Sequence, residues 1–481
     1  MGIQNFHTWL KQRFLQAYIP IKGNNIYEYI YLDVNYILHN AIYDCKTENN
    51  FVNKLYAYLD IIFTNFIATK KIFFSLDGPS SYAKILLQRK RRTENANKIV
   101  ENTISSLYLT PGTDAMKRIE GYLQTYIIKL KTKYRFLSPE IYMSSSNDPD
   151  EGEVKICGEV IKNGINNLQE RHLIVGNDSD LIVLSMGMKP IYNINILVKG
   201  REQNELISLS KLLTLHCRHI NRNNTIEKLA YSKLRDDFVI VSIMMGNDYF
   251  PKLGYIKHDK LWKVYYDFML TQTNKTLMND NCTFNTEIFQ RFLYRIYANL
   301  SNSCKKVNIT TYDYDRSKTY LTGLLWCLKM YQQGKCPKYD YAYCYSIAHP
   351  YELLFHMCAE KETLNMNNIV SDPLNPNIYS LIVMPKKASF LIPQKYHHLM
   401  DNELKYLYET EDCQTCNNHK IISKNINSQI KEFDKSLTIE INALKEKYKR
   451  NMALYLKHKK THINSFNIND INKIVGLATK I

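Results

Sequence analysis

Three β-rich runs in the first 180 residues each end on an aspartate. "YEYIYLDVN" reaches Asp33, "KKIFFSLDG" reaches Asp77, and "RHLIVGNDSD" reaches Asp178 and Asp180. Longer amphipathic stretches, such as residues 51–68 and 115–132, lie between them. Strands separated by helices predict a parallel α/β sheet. Ligands of such sheets bind beyond the carboxyl ends of the strands, the edge where these aspartates stand. A fourth apolar run, "DDFVIVSIMMGNDYFP" (236–251), is expected to be a buried helix or strand that delivers Asp248.

A further segment, "NDPDEGEVKI" (147–156), carries Asp148, Asp150, Glu151 and Glu153 within six residues. It reads as a helix start, with an Asp N-cap, Pro at the first helical position and a Glu placed for a capping box. It also reads as part of a metal site. The two readings are compatible if Asp148 and Pro149 start the helix while Glu151 and Glu153 face the metal. Gly152 between them is a poor helix former that lets backbone or ligand come close.

Taken singly, each acid has a structural explanation. An Asp at a strand end often caps the next helix, and Asp-Gly at 77–78 is an ordinary turn. Together, Asp33, Asp77, Glu151, Glu153, Asp178, Asp180 and Asp248 would repel one another strongly at one sheet edge and push their pKa values up. Divalent cations resolve that conflict. Mg²⁺ favours carboxylate oxygens, and a pair of such ions can support phosphodiester cleavage.

The chain carries 63 Lys and Arg against 46 Asp and Glu, a net charge of +17, which points to a polyanionic partner. AT-rich codon usage accounts for part of it, since Asn, Ile, Lys and Tyr are all abundant. No apolar run approaches a bilayer span, and the N-terminus lacks the features of a secretory signal or, with Phe6 in place of Ser or Thr, of a myristoylation site. Eleven cysteines without framework spacing read as reduced thiols. Cys413-x-x-Cys416 followed by His419 has the form of a zinc-site opening, but no fourth ligand is seen at a suitable spacing, so it is read as coincidence.

Just after Asp77 comes "DGPSSYAKILLQRKRRT". Lys84, Gln88, Arg91 and Arg92 fall at helical spacing and share one face. One Lys, one amide and two Arg suit a terminal phosphate, with Arg able to bind bidentately.

These stretches resemble the Xrn-type 5′→3′ exoribonucleases. "MGIQNFHTWL", "YLDVNYILHN", "LDGPSSYAKILLQRKRR", "LTPGTDAM", "DEGEVKI", "GNDSDLIVL" and "GNDYFPKL" follow in that family's order. So do "GLLWCLKMYQQGKCPKYDYAYCYSIAHPYELL" and "VMPKKASFLIPQKYHHLM". The resemblance implies a PIN-like, flap-nuclease-like α/β domain at 1–255, a connecting segment at 256–319, and a second, mostly helical, aromatic-rich region at 320–405 that closes the active site. Residues 406–481 are expected to form a basic helical tail.

The resemblance further implies processive hydrolysis of single-stranded RNA bearing a 5′-monophosphate, with two Mg²⁺ ions, or Mn²⁺, held by the seven acids. Lys84, Gln88, Arg91 and Arg92 would bind the 5′-phosphate, and His39 would stack on the first base. A decapping enzyme would be the partner that generates such ends. A monomer in the cytoplasm is expected, the host's if the chain is viral, with the nucleus as the alternative and no role for a membrane. The short length and AT-rich composition point to a compact form such as those of large DNA viruses.

The chain departs from the family pattern at Val154, Ser179 and Tyr36, none of them an acid. It also lacks the family's tryptophan opposite His39, and Tyr339 or Tyr341 is expected to stand in. The nearest rival is a flap-endonuclease-type DNA nuclease, but the Gly-x-Gly expected after its last acidic motif is missing behind Asp248. A non-catalytic RNA-binding protein would be expected to have lost acids, and none of the seven is lost.

Overall fold

The computed structural model describes the chain except residues 1–2, 4–5, 22, 24, 97–103, 200–203, 221–227, 273–274, 306–311, 346, 361–370, 410–412, 433–437 and 460–465. The site of the myristoylation reading, Gly2, and the rest of the opening Met1-Gly2 and Gln4-Asn5 therefore lie outside the described residues.

Seven strands form one sheet: β1 (Tyr18–Pro20), β2 (Asn25–Asp33), β3 (Phe66–Ser75), β4 (Glu140–Ser144), β5 (His172–Val175), β6 (Ile194–Lys199) and β7 (Asn204–Ser208). Their order is β1-β7-β6-β5-β2-β3-β4. The run β6-β5-β2-β3-β4 is parallel, and β7 and β1 close one side antiparallel. The expected α/β class with a mostly parallel sheet is what the structure shows. Chain order reverses at β2, which pairs with β3 on one side and β5 on the other. A crevice at such a switch point is where open α/β sheets bind ligands.

The strands alternate between two cores, as a two-residue period requires. Tyr29, Tyr31, Phe73, Ile174 and Ile196 enter one. Ile30, Leu32, Ile72, Phe74, Leu173 and Val175 enter the other, beneath α2 (Val34–Ile42), α3 (Glu48–Asn65) and α5 (Asp114–Lys133). The first core is covered by α1 (Phe6–Arg13), α6 (Gly152–Gly164), α7 (Ser179–Gly187), α8 (Leu209–Ile220) and α9 (Lys228–Ile243). A third core joins α4 (Tyr82–Ala96) to helices near the end of the chain.

The expected domain boundaries do not coincide with these cores. Residues 256–319 are not a mere connection. They form α10 (His258–Met269), α11 (Thr286–Ala298) and the short α12 (Asn302–Lys305), and Trp262, Tyr265 and Phe292 are fully buried in the first core. Their apolar positions recur at helical spacing, a pattern the sequence reading passed over. The second region is helical as expected: α13 (Tyr314–Gln333), α14 (Pro350–Ala359), α15 (Pro376–Val383) and α16 (His397–Asp401). The final segment holds α17 (Lys405–Glu409), α18 (Gln414–Glu432), α19 (Thr438–Lys459) and α20 (Ile468–Ala478). It is no detached arm throughout, because α20 buries Ile471, Ile474 and Ala478 in the third core. Among the described residues, no helix is long and apolar enough to cross a membrane.

Candidate active site

The carboxyl ends of β2, β3 and β5 and the start of α6 open on one cleft of about 520 Å³. Asp33, Asp77, Glu151, Glu153, Asp178 and Asp248 line it, and so do His39, Lys84, Gln88, Arg91 and Arg92. Asp180 stands just behind the lining, buried beside Asp178, where it accepts a hydrogen bond from the Ile3 amide at 3.1 Å. The structure thus brings the seven acids and the basic helix face into one neighbourhood.

Local structure explains each placement. Asp33 ends β2 and N-caps α2 by accepting from Tyr36 N at 3.3 Å. Asp178 follows β5 and caps α7 in the same way, through Asp180 N. The capping role and the cleft position therefore coexist in one carboxylate. Asp77 does something the sequence did not suggest: its Oδ1 accepts from Gly152 N at 2.7 Å and so caps α6 from another strand. Asn35 holds that carboxylate from the other side, donating to Asp77 Oδ2 at 2.7 Å and accepting from Asp77 N at 3.1 Å.

The helix of "NDPDEGEVKI" starts later than expected. α6 begins at Gly152, with Glu151 as N-cap residue, so Asp148 and Pro149 do not start it. Asp148 instead closes the preceding turn, accepting from Ser144 Oγ and Ser145 N. The chain reverses at Asp150, which has φ +77, and packs on Gly78, where a Cβ would lie 1.7 Å from Asp148 O. A Cβ on Gly152 would meet Asp77 Oδ1 and Ser75 O at 3.3 Å and Asp33 Oδ1 at 3.5 Å. The glycine keeps the helix start against the acids.

Asp248 is delivered by a loop after α9. Gly246 takes φ +83 there, and Asn247 donates to Tyr331 of α13 at 2.9 Å. Its neighbour Tyr249 bonds Glu151 through its hydroxyl and packs edge-on against Trp326. The second region thus buttresses the cleft from behind rather than closing it, since every lining residue falls between Asp33 and Asp248.

The basic face is engaged with the acids. Lys84 Nζ lies 2.6 Å from Glu151 and 3.3 Å from Asp248, and Arg91 pairs bidentately with Asp248 at 3.0 and 2.9 Å. Arg92 reaches Thr110 Oγ1 at 2.9 Å and the Gln88 side chain. Burial alone would raise the Asp248 pKa, but Lys84 and Arg91 outweigh it and hold the carboxyl at about 2. Asp33, pushed up by burial and then by Asp77, sits at about 8, as does Asp180 through burial and Asp178. Burial and Asp178 likewise lift Glu153 well above the usual range. The acids outnumber the cations of the cleft, and the excess is buried.

That donor set, all hard oxygen, fits a divalent cation such as Mg²⁺, which takes one or two carboxylates and keeps several waters. The acids surround a cleft rather than form a closed cage. Among the described residues, no three of them bring one oxygen each within 4.8 Å of one another.

His39 is exposed at the cleft wall. Neither Tyr339 nor Tyr341 lines the cleft, so the expectation that one of them faces His39 is not met. Tyr341 stacks on Trp326 at 4.9 Å and bonds Thr319 O, and Tyr339 is buried with its carbonyl on Tyr82 N. Trp9, Trp262 and Trp326 are all buried as well. The cleft's other aromatic is Tyr36, the residue at a noted family departure. Sequence reasoning missed Asn35 and Tyr249. Their signal was adjacency, Asn35 two residues after Asp33 and Tyr249 directly after Asp248.

Comparison with known proteins bears on the same part of the chain. Residues 1–199 match the family described as XRN 5'-3' exonuclease N-terminus. Human 5'-3' exoribonuclease 1 is 25% identical over 347 residues, 62% of this chain and 20% of that protein. A protein of Acanthamoeba polyphaga mimivirus named as a 5'-3' exonuclease is 27% identical over 236 residues, 46% of this chain and 37% of that one. The chain spans about a fifth of the length of the first curated relatives it matches. A solved structure of the catalytic core of Rad2 in complex with DNA substrate aligns with 74% of this chain and 94% of its own, at TM-score 0.38 and 13% identity. Sequence and cleft converge: over residues 1–199, which hold six of the seven acids and the whole basic face, the chain is similar to the XRN 5'-3' exonuclease N-terminus.

Proposed function

We propose that the protein is a 5′→3′ exoribonuclease that removes nucleoside monophosphates processively from single-stranded RNA bearing a 5′-monophosphate. One observation carries the reading: the acid edge and the face of Lys84, Gln88, Arg91 and Arg92 line the same cleft. An enzyme that cuts beside a terminal phosphate needs both within one nucleotide of each other.

In this reading the 5′-phosphate docks on the face of Lys84, Gln88, Arg91 and Arg92, with Arg91 turning part of its fork from Asp248 to phosphate. Lys84 keeps Glu151 and Asp248 oriented, and His39 offers a flat face to the first base. Asp33, Asp77, Glu151, Glu153, Asp178, Asp180 and Asp248 would hold two Mg²⁺ ions, or Mn²⁺, directly or through water. When bound, such a pair supplies an activated water and a counter-charge for the departing 3′-oxygen. The protein would act as a monomer on ends left by a decapping enzyme, in the cytoplasm.

The test compares one RNA sequence with 5′-monophosphate, 5′-triphosphate and capped ends, with Mg²⁺ and with chelator. The monophosphate RNA is expected to be degraded fastest, and only with metal. Equal rates on the three ends overturn the phosphate pocket. Preferred cleavage of a 5′-flap DNA gives the activity to the rival nuclease class.

A further inference from the structure

A second group of metal-binding side chains lies far from the cleft in sequence. Cys413 immediately precedes α18, Cys416 lies in its first turn, and His458 sits at the end of α19. One ligand atom from each of the three lies within 4.8 Å of the others. Cys413 Sγ and His458 Nε2 are 3.1 Å apart. Ligand atoms around a tetrahedral zinc are about 3.5–3.8 Å apart, given Zn–S near 2.3 Å and Zn–N near 2.0 Å. Small side-chain shifts therefore separate the three from a ligand set.

The zinc-site opening noted in the sequence names the wrong histidine. His419 is occupied: its ring meets Asn451 Oδ1 at 2.7 Å, while Asn451 Nδ2 donates to His419 O and Ser423 Oγ. The partner of Cys413 and Cys416 comes instead from the returning helix.

Two independent observations favour an ion here. The Cys416 amide donates to Cys413 Sγ at 3.5 Å, so the sulfur takes the position of an N-capping oxygen and has an outer partner that orients it. The hairpin also needs a fastening. Of the described apolar side chains in 413–459, Ile426 alone is buried, while Ile421, Ile422, Leu454 and Leu456 are exposed. The two helices pack antiparallel through a polar ladder of His419, Asn451 and Ser423. A small element with so thin a core is where a structural metal contributes most.

We propose that Cys413, Cys416 and His458 ligate a structural zinc ion that clasps the open end of the α18–α19 hairpin. Binding would release the thiol protons, leaving both sulfurs as thiolates with no change in oxidation state.

The experiment uses the full chain, tag-free and freshly desalted, and measures bound metal by mass spectrometry. About one zinc per chain is expected. It should be lost in the Cys413→Ser/Cys416→Ser protein and kept in Asp178→Ala, which separates it from the acid cleft. His419→Ala should also keep it. His458→Ala should weaken zinc by more than the roughly 10- to 100-fold that loss of an outer partner costs. Independently of any variant, metal-stripped wild-type protein titrated with Co²⁺ should develop a thiolate charge-transfer band and the intense visible bands of a tetrahedral site. Equal zinc in wild type and the double variant overturns the proposal. So does the absence of both zinc and the cobalt bands, or a Cys413–Cys416 disulfide in the fresh protein.

Discussion

The acid cleft and the α18–α19 hairpin both gather metal-binding side chains, yet they relate to the fold in opposite ways. The cleft rests on a sheet between two large cores, and neighbours already hold several of its carboxylates: Gly152 N and Asn35 on Asp77, Tyr36 N on Asp33, Arg91 on Asp248. Repulsion among buried acids is set there against the packing of two large cores. The hairpin has one buried apolar side chain among those described and a ladder of three polar ones. An ion at the cleft would supply chemistry, whereas an ion at the hairpin would supply structure.

The largest effect separates the two. Asp178→Ala should lower exonuclease turnover on the order of 10³-fold while leaving the melting temperature close to wild type. Removing the Cys413 and Cys416 thiols should do the reverse, exposing α18 and α19 to protease with turnover retained. Turnover that survives the aspartate change would erase the contrast.

Next comes Arg91→Ala, with an expected loss of about 10- to 100-fold on 5′-monophosphate RNA and a smaller loss on triphosphate RNA. An equal loss on both ends would reduce Arg91 to a partner of Asp248. Arg91→Lys should not restore the rate, because Lys cannot replace the bidentate fork. Gly152→Ala should cost roughly tenfold in turnover with stability unchanged or improved, since Ala favours a helix by up to about 1 kcal/mol over Gly but its methyl group presses on Asp77 and Asp33. Lower stability with full turnover would contradict the close approach.

A pH series sharpens the cleft side. Asp33 and Asp180 have folded pKa values raised to about 8, against an unfolded value near 3.9. The folded state binds their protons more tightly, so their contribution is complete below about pH 4 and disappears as pH rises through about 8. Cation-free protein should therefore lose melting temperature over that window. Mg²⁺ should restore it by about 2–4 °C at pH 8 and by little at pH 5.5. An equal Mg²⁺ effect at both pH values would remove the acids as its cause. The smallest effect is Asn451→Ala, expected to cost about 1–2 kcal/mol and to show as faster amide exchange confined to α18 and α19. Faster exchange across the sheet would mean that the hairpin is not separable.

The contrast also governs what could be read from the sequence. Strand runs ending in Asp33, Asp77 and Asp178 were legible because strand order is local and sheet edges are predictable from it. The order of "KILLQRKRR" made the shared face of Lys84, Gln88, Arg91 and Arg92 legible, but not that Arg91 and Lys84 would turn onto Asp248 and Glu151. Those pairs join residues 157 and 67 positions apart. The start of α6 was misplaced because its cap comes from Asp77, 75 residues earlier. Residues 256–319 read as connection in the sequence because Trp262 and Phe292 reveal a core only once the facing helices are known. The zinc-like cluster was passed over for the same reason, with His458 lying 45 residues beyond Cys413.

One side chain of that basic stretch faces away from the cleft. Arg89 is buried in the third core, donating to the carbonyls of Ile382 and Leu407 and lying over the rings of Tyr408 and Phe466. Leu407 is made 318 residues after Arg89. At about 5–20 residues per second, that is roughly 16–60 s of synthesis. The helix that faces the acids thus emerges early and finds its seat late. On the proposed function, all seven acids are made by Asp248, whereas the seat of the phosphate face is complete only once Leu407 and Phe466 follow.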